Sequence, residues 1–263
     1  MHSTSLLAPV LSRDDRAGVA TITLQRPTAR NALSMELMLA LLQTLEAISA
    51  DKTVKAVILK GAGPAFCSGH DLKELRANPG RTFIEETFHT CAKLMLTISR
   101  LRQPVIAQVH GIATAAGCQL VATCDLAVCE EGARFATPGV NIGLFCSTPM
   151  VALTRAVGRK AAMEMLLLGE MVNASHAREI GLVNRVVPLA ELDATVREIA
   201  DRIAAKSPRV LAIGKEAFGR QIEMGLEQAY AYTADVMIEN MMLHDAAEGI
   251  DAFLQKRQPC WGE

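Results

Sequence analysis

The sequence predicts an α/β fold with a helical C-terminal region, and three patterns support this fold class. Strand-like apolar segments alternate with segments of helical periodicity over residues 18–187. From Leu189 onward the apolar spacing is almost entirely helical. Half of the 263 residues are hydrophobic, which is enough for a large core. We therefore predict a core over residues 1–203 and a helical oligomerisation region over residues 204–263.

Strand and helix signals follow one another along the chain. The alternating segment GVATITLQRP ends at proline and predicts the first strand, and Ser34 caps the helix that follows. Further strands are predicted at 54–61, 104–111, 125–130, around Phe135 and at 182–187. Further helices are predicted at 82–100, just after residue 114, and at 148–157, 159–168 and 175–181. The last helices carry methionine-rich apolar faces, which must bury against the core or a neighbouring subunit.

Composition argues against several classes of function. The net charge is −1 and the charged residues are scattered, so we expect no nucleic-acid partner. One tryptophan and two tyrosines offer little surface for stacking on bases. The uncharged runs 103–124 and 135–154 contain proline, glycine and amide side chains, so we expect buried segments rather than membrane spans.

The cysteines and the N-terminal stretch bear on the compartment. Seven cysteines without a CxxC pair, mostly in apolar runs, favour reduced buried thiols, and we predict no metal site. The stretch MHSTSLLAPVLSRDD has no long apolar run and acquires acidic residues early, unlike a secretory signal or a transit peptide. We expect a cytoplasmic protein, or one of the mitochondrial matrix if the source is eukaryotic.

Two turns of small residues are the strongest chemical signal. Common phosphate-binding, nucleophile-elbow and zinc-protease motifs are absent from the sequence. The turn Cys67-Ser68-Gly69-His70-Asp71 follows one strand, and Ala115-Ala116-Gly117 follows another and opens a helix. Two backbone N–H donors converging on one oxygen would form an oxyanion hole, worth ~3–4 kcal/mol per donor in a transition state. The alternative is that both turns are tight for packing reasons alone.

Several segments resemble the enoyl-CoA hydratase/isomerase, or crotonase, superfamily. AFCSGHDLKEL (65–75) and QPVIAQVHGIATAAGCQLVATCDLAV (103–128) carry the resemblance most clearly. It continues through RPTARNALS (26–34), FATPGVNIGLF (135–145), LTRAVGRKAAMEMLLLGE (153–170), AREIGLVNRVVP (177–188) and EGIDAFLQKRQP (248–259). The resemblance implies a spiral of ββα units and a C-terminal trimerisation region, hence a homotrimer or a hexamer (a dimer of trimers). It also implies an acyl-CoA thioester ligand, with coenzyme A as part of the substrate and no covalently bound cofactor.

The resemblance assigns roles position by position. The backbone N–H groups of His70 and Ala116 match the two donors of the oxyanion hole. The positions that match the binding site for the substrate and its coenzyme A are Arg30, Ala32, Ser68, Gly69, Asp71, Leu72 and Gly117, together with Phe253 and Lys256 of a C-terminal FxxKR element. A cation in that element suits the adenine-phosphate end of coenzyme A.

The sequence departs from the hydratase pattern at both acid–base positions. Gln119 and Gly139 replace the two glutamates that position water and transfer protons in hydratases. An amide can orient water but cannot exchange a proton near neutral pH, and glycine has no side chain. One subgroup of the family, similar here in SGHDLKEL and FATPGVN, shares both replacements.

Three functions therefore remain open. The first is a crotonase-type hydratase with a non-standard base. The second is another reaction through a thioester enolate, namely isomerisation, decarboxylation or thioester hydrolysis. Its side-chain candidates are His70, His89, Asn141 and Cys146, each of which has a structural alternative, and a site without glutamates suits decarboxylation best. The third is a non-catalytic acyl-CoA binder. Asp71 and Asp125 are interpreted mainly as framework residues.

Overall fold

A six-stranded sheet forms the centre of the structure, a computed structural model that describes residues 9–262. The first half of the chain contains β1 (Leu11–Arg16), β2 (Val19–Leu24), α1 (Met35–Ala50), β3 (Ala56–Gly61), α2 (Leu72–Ala77), α3 (Arg81–Arg100), β4 (Val105–Val109), β5 (Ile112–Thr114), α4 (Ala116–Thr123) and β6 (Leu126–Glu130). The second half contains β7 (Arg134–Ala136), α5 (Pro149–Ala156), α6 (Arg159–Leu168), β8 (Val172–Asn173), α7 (Ala174–Glu179), β9 (Arg185–Val187), α8 (Leu189–Ala204), α9 (Pro208–Gln221), α10 (Leu226–Met241) and α11 (His244–Leu254). Short 3-10 helices lie at Pro27–Ala29 and Pro138–Ile142.

The strand order confirms the predicted α/β class. The central sheet runs β1–β2–β3–β4–β6–β9; β1 and β2 are antiparallel, and the pairs that follow are parallel. A second, three-stranded sheet has the order β5–β7–β8. Parallel neighbours joined through helices are the topology that alternating strand and helix signals predict. The predicted C-terminal helical run is present as α8 to α11.

The side chains of β3 alternate between two apolar clusters on opposite faces of the central sheet. Val57 and Leu59 belong to the larger cluster, which also contains the buried faces of α1, α3 and α4. Ala56 and Ile58 pack with α8 on the other face. Burial on both faces explains why VKAVILKG is continuously apolar rather than alternating.

Three strands, β1, β5 and β8, were not predicted, and one predicted strand is shorter in the structure. β1 was not predicted, because its sequence LSRDDR is polar and mostly exposed and carries no apolar alternation. It forms through a hairpin turn at Ala17 and Gly18, whose φ values of 51° and 77° match a type I′ turn. Of the segment 182–187 that was predicted as a strand, only residues 185–187 form one, β9. Gly181 turns the chain at φ 86°, and pairing with β6 begins only at Arg185.

A largely buried lysine joins α9 to the core. Lys215 of α9 donates to Asp125 at 2.6 Å and to the carbonyl oxygens of Ile98 at 3.1 Å and Gln103 at 3.3 Å. The predicted boundary after residue 203 lies at the end of α8, and the division into two regions stays a prediction. Within the described residues, no helix combines the length and apolar character that crossing a membrane requires.

Candidate functional site

The two small-residue turns predicted from the sequence lie against each other. The Thr114 N–H donates to the Cys67 carbonyl at 3.0 Å, and the Thr114 hydroxyl donates to the Ser68 carbonyl at 3.0 Å. Gly69 allows a closer approach, because a Cβ built on it would lie 3.3 Å from the Ala116 nitrogen. The first turn and the start of α4 are therefore in direct contact.

Each turn presents a backbone N–H group, that of His70 or that of Ala116, for which the described part of the chain supplies no hydrogen-bond acceptor. His70 forms a parallel bridge with Leu33 in which Gly69 and Asp71 make the hydrogen bonds, so the His70 N–H points away from Leu33. Ala116 is the first residue of α4, where an N–H lacks an intrahelical partner and the helix dipole is positive. Two such donors on touching turns have the composition of an oxyanion hole.

Ala115 fixes the direction of the second donor. Its φ of 50° and ψ of −118° belong to a region that glycine adopts more readily than alanine. The Ala115 N–H donates to the Ala136 carbonyl at 2.9 Å, and its carbonyl accepts from Gln119 at 3.0 Å. A backbone conformation of this kind lowers the stability of the fold by about 1–3 kcal/mol and is often found at functional sites. In the sequence, the run of small residues at 115–117 is the only signal of this conformation, and it assigns no separate role to Ala115.

The His70 imidazole is packed into the wall of the site. Its ring meets the ring of Phe88 on α3 edge to face, with centroids 5.0 Å apart and an interplanar angle of 64°. The buried Nε2 atom has no hydrogen-bond partner among the described residues. Burial lowers the pKa of His70 to about 4, so the ring is neutral at neutral pH.

Gln119 is buried beside the same helix. It is 4% exposed, and its Oε1 lies 4.0 Å from the Cys91 thiol of α3. Burial raises the pKa of that thiol to about 12, so it is protonated. Phe88 and Cys91 are three residues apart and share one face of α3. His70 and Gln119 therefore both contact this face.

The space beside Gly139 is filled by the loop that follows it. A Cβ built on Gly139 would lie 2.6 Å from the Leu144 carbonyl oxygen and 2.9 Å from the Cys146 sulfur. The loop is held by the Leu144 N–H, which donates to Gly139 at 2.9 Å, and the Gly139 N–H donates to Cys146 at 3.3 Å. Cys146 is thus a buried packing residue, and burial raises the pKa of its thiol. A larger side chain at residue 139 requires this loop to move.

Hydrogen bonds tie the segment 26–32 to the first turn. Asp71 caps α2 and pairs with Arg26 at 2.8 Å, and Arg26 also donates to the Ala32 carbonyl. The Ser68 N–H donates to the carbonyl of Arg30, whose side chain is exposed, at 3.0 Å. These contacts place four predicted binding residues beside the two backbone donors: Arg30, Ala32, Ser68 and Asp71. Their contact with a ligand stays a prediction.

The remaining predicted binding residues occupy different surroundings. Leu72 is half exposed at the start of α2, and Gly117 is buried against the Cys67 carbonyl. Phe253 and Lys256 lie at the end of α11, and Phe253 is 81% exposed. In the described part of the chain, no hydrogen bond or ion pair joins α11 to the two turns.

The other side-chain candidates occupy ordinary structural positions. His89 is exposed, and Glu85, one turn before it, pairs with Arg81 at 2.6 Å. The Asn141 amide donates to the Gly169 carbonyl at 3.2 Å and so satisfies backbone in a tight segment. Over residues 9–262, no group of three or more His, Cys, Asp or Glu residues is placed to hold a metal ion.

Comparison with known proteins identifies the family of this chain. Residues 14–263 match the family model described as enoyl-CoA hydratase/isomerase. The mitochondrial enoyl-CoA hydratase domain-containing protein 3 of Homo sapiens is 48% identical over 93% of this chain and 80% of its own length. Its crystal structure superposes with a TM-score of 0.93 and 47% identity over 96% of this chain and 100% of that one. A crystal structure of enoyl-CoA hydratase from Mycobacterium smegmatis gives a TM-score of 0.94 and 54% identity, over 97% and 99%. The resemblance in the motifs and the crotonase-like fold class are confirmed.

Proposed function

Because the chain belongs to the enoyl-CoA hydratase/isomerase family, we propose that it binds an acyl-CoA thioester with the carbonyl oxygen between the N–H groups of His70 and Ala116. The observation that supports this proposal is the pair of donors on touching turns, neither of which has an acceptor in the described chain. The turns are fixed by their own hydrogen bonds, so the donors need little reorganisation when charge develops on the oxygen.

The proposed chemistry proceeds through a thioester enolate without a protein carboxylate as base. Gln119 cannot exchange a proton, and the space at Gly139 is occupied by the Leu144 carbonyl and the Cys146 thiol. A reaction that needs two carboxylates to activate water therefore fits this site poorly. Stabilisation of the enolate remains, at ~3–4 kcal/mol per donor.

Among enolate reactions, decarboxylation of an α-carboxyacyl-CoA such as malonyl-CoA suits these groups best. The bond between the α-carbon and the carboxylate breaks, its electron pair enters the enolate, and carbon dioxide leaves. Solvent water then supplies the proton that the α-carbon takes up, so no buried acid or base is required. Burial of Gln119 and of the His70 ring keeps bulk water away from one side of the site.

The remaining binding residues are proposed for coenzyme A. Arg30 lies on the surface beside the first turn, and its guanidinium suits a phosphate. Lys256 offers a second cation at the end of α11, and Phe253 an exposed apolar ring. We place the protein in a reducing compartment, cytoplasmic or, in a eukaryote, the mitochondrial matrix. The mitochondrial name of the human relative and the buried thiols support this.

Binding and turnover can be measured separately on the full chain. Calorimetry with acetoacetyl-CoA tests binding, and loss of the conjugated thioester absorbance of crotonyl-CoA tests hydration. Malonyl-CoA, followed by release of carbon dioxide, tests decarboxylation. We expect binding of acetoacetyl-CoA, no loss of crotonyl-CoA absorbance, and release of carbon dioxide.

Each result has a distinct meaning. If no coenzyme A ester binds, the proposed ligand class is wrong. Binding with no turnover of either substrate would leave a non-catalytic acyl-CoA binder and overturn the decarboxylation proposal. Replacement of the backbone amide of residue 116 by an ester removes one donor without changing the side chain. It should weaken acetoacetyl-CoA binding while the urea-unfolding midpoint stays close to that of the unmodified chain.

A further inference from the structure

The His70 side chain carries a polar atom that the fold leaves without a partner. Nε2 is buried, and no donor or acceptor among the described residues reaches it. A buried polar atom without a hydrogen bond costs about 1–3 kcal/mol, so native proteins rarely keep one without a purpose. The same residue supplies the backbone N–H proposed for the thioester oxygen, so the imidazole belongs to the turn that would hold the carbonyl of a bound ester.

The imidazole is held in place by apolar contact. Phe88 meets the ring edge to face at 5.0 Å, and this packing restricts how far the ring can turn toward solvent. On the same face of α3, Cys91 contacts the Gln119 amide. This face of α3 therefore packs against two polar side chains, the His70 imidazole and the Gln119 amide.

Both of these side chains are uncharged. Burial keeps His70 neutral, and a carboxamide does not titrate. Among the described residues, no ion pair involves His70. The His70 imidazole and the Gln119 amide can therefore donate and accept hydrogen bonds, but neither brings a positive charge to an anionic substrate group.

We propose that His70 is a positioning residue whose Nε2 hydrogen-bonds an oxygen on the β-carbon of the acyl group. This inference rests on the proposed function and narrows the substrate class to β-oxoacyl- and α-carboxyacyl-CoA esters, both of which carry an oxygen on the β-carbon. The β-oxygen and the thioester oxygen are separated by only three carbon atoms, which matches a side chain and a backbone N–H from one residue. A neutral partner also orients a carboxylate without the strong ground-state pairing that a cation would give.

The test compares two ligands that differ only in the β-substituent. Acetoacetyl-CoA has a β-oxygen, and butyryl-CoA, which has the same four-carbon chain, does not. Calorimetry on the full chain should show tighter binding of acetoacetyl-CoA. His70→Phe keeps an aromatic ring beside Phe88 and the backbone N–H, but removes both ring nitrogens. It should reduce the affinity for acetoacetyl-CoA by about fivefold, as expected for one hydrogen bond, and change the affinity for butyryl-CoA by less than about twofold.

His70→Gln is the matched conservative variant, because its amide nitrogen reaches a position close to that of Nε2. It should restore part of the preference for acetoacetyl-CoA. An equal loss of both ligands in His70→Phe would indicate a structural role and overturn the proposal, as would an unchanged preference. Failure of the unsubstituted chain to bind either ester would instead contradict the proposed function.

A second measurement needs no variant and so does not depend on whether His70→Phe folds. In the histidine ¹⁵N NMR spectrum of the full chain, the Nε2 resonance of His70 should shift when acetoacetyl-CoA is added. Butyryl-CoA at the same saturation should shift it much less. Equal shifts with the two ligands would refute the proposed contact.

Discussion

Ala115 carries the most unfavourable backbone conformation at the site, so a substitution there should raise stability. Ala115→Gly removes the clash of Cβ at positive φ, worth about 1–3 kcal/mol, and loses about 0.5–1 kcal/mol to the unfolded chain. We expect a gain of about 1 kcal/mol in the free energy of unfolding, measured with urea. Gly117→Ala is the control of opposite sign, because its Cβ would lie 2.0 Å from the Cys67 carbonyl oxygen. A loss of about 3 kcal/mol or more is expected there, and a destabilised Ala115→Gly would contradict the strain argument.

His70 should make stability depend on pH in mildly acidic solution. Its folded-state pKa of about 4 lies below the ordinary histidine value of 6.5, so the unfolded chain binds more protons between these pH values. Stability from this residue is fully present above about pH 6.5 and falls as the pH drops toward 4, by on the order of 3 kcal/mol. Urea unfolding at several pH values measures this slope. His70→Phe should show a shallower decline over the same range, and parallel curves would show that His70 does not carry the effect.

For individual residues, the sequence predicts some features of the site and not others. The missing glutamates were visible as Gln119 and Gly139 in the motifs, and the two donors as small residues before a helix. The orphaned Nε2 of His70 and the filled space beside Gly139 depend on Phe88 and Leu144, which are distant in sequence or belong to an irregular loop. No periodicity predicts such contacts.

At the scale of elements, the loop after Gly139 should prevent a simple restoration of hydration. A glutamate at residue 139 would place Cβ 2.6 Å from the Leu144 carbonyl oxygen, which is backbone and cannot turn aside. We expect Gln119→Glu with Gly139→Glu to gain no hydration of crotonyl-CoA and to lose about 3 kcal/mol of stability. Gln119→Glu alone, similar in size to the native residue, is the control for folding. Rapid hydration by the double variant would show that the loop moves at little cost.

The attachment of α9 to the core depends on Lys215. Its side chain is 11% exposed, and it serves Asp125 and two backbone carbonyls. Lys215→Met leaves Asp125 without its cation, and burial already raises the pKa of that carboxyl. We expect a loss of about 3 kcal/mol in urea unfolding at pH 7. Lys93→Met, which removes a pair between two exposed side chains, should change stability by less than about 1 kcal/mol. Similar losses of stability in the two variants would show that Lys215 does not stabilise the protein more than an exposed lysine does.

The accuracy of the element predictions follows from burial. α1 and α3 each bury one apolar face, so their periodicity marks them clearly. β3 is apolar throughout because both of its faces are covered. The polar edge strand β1 and the two-residue β8 depend on pairing with distant segments, which leaves little trace in their own sequences.

At the scale of the whole molecule, α10 shows that a single chain leaves apolar surface uncovered. No residue of this 16-residue helix is buried. Its neighbourhood exposes a set of large apolar side chains, most of them more than half accessible: Leu226, Tyr230, Met237, Ile238, Met241 and Met242. Contiguous apolar surface of this kind on a protein usually marks an interface with another chain.

We therefore predict that the protein forms a homotrimer or a hexamer through this surface. Light scattering after size exclusion should give about three or six times the chain mass of 28.3 kDa. Met237→Lys combined with Ile238→Lys places two charges on the exposed face of α10 and should shift the mass toward the monomer. Lys52→Glu, an exposed change at the end of α1, is the control and should leave the mass unchanged. We expect assembly because the apolar face of α10 costs about 25 cal/mol per Å² while it stays in water. A monomeric mass for the unsubstituted chain at micromolar concentration would contradict the prediction.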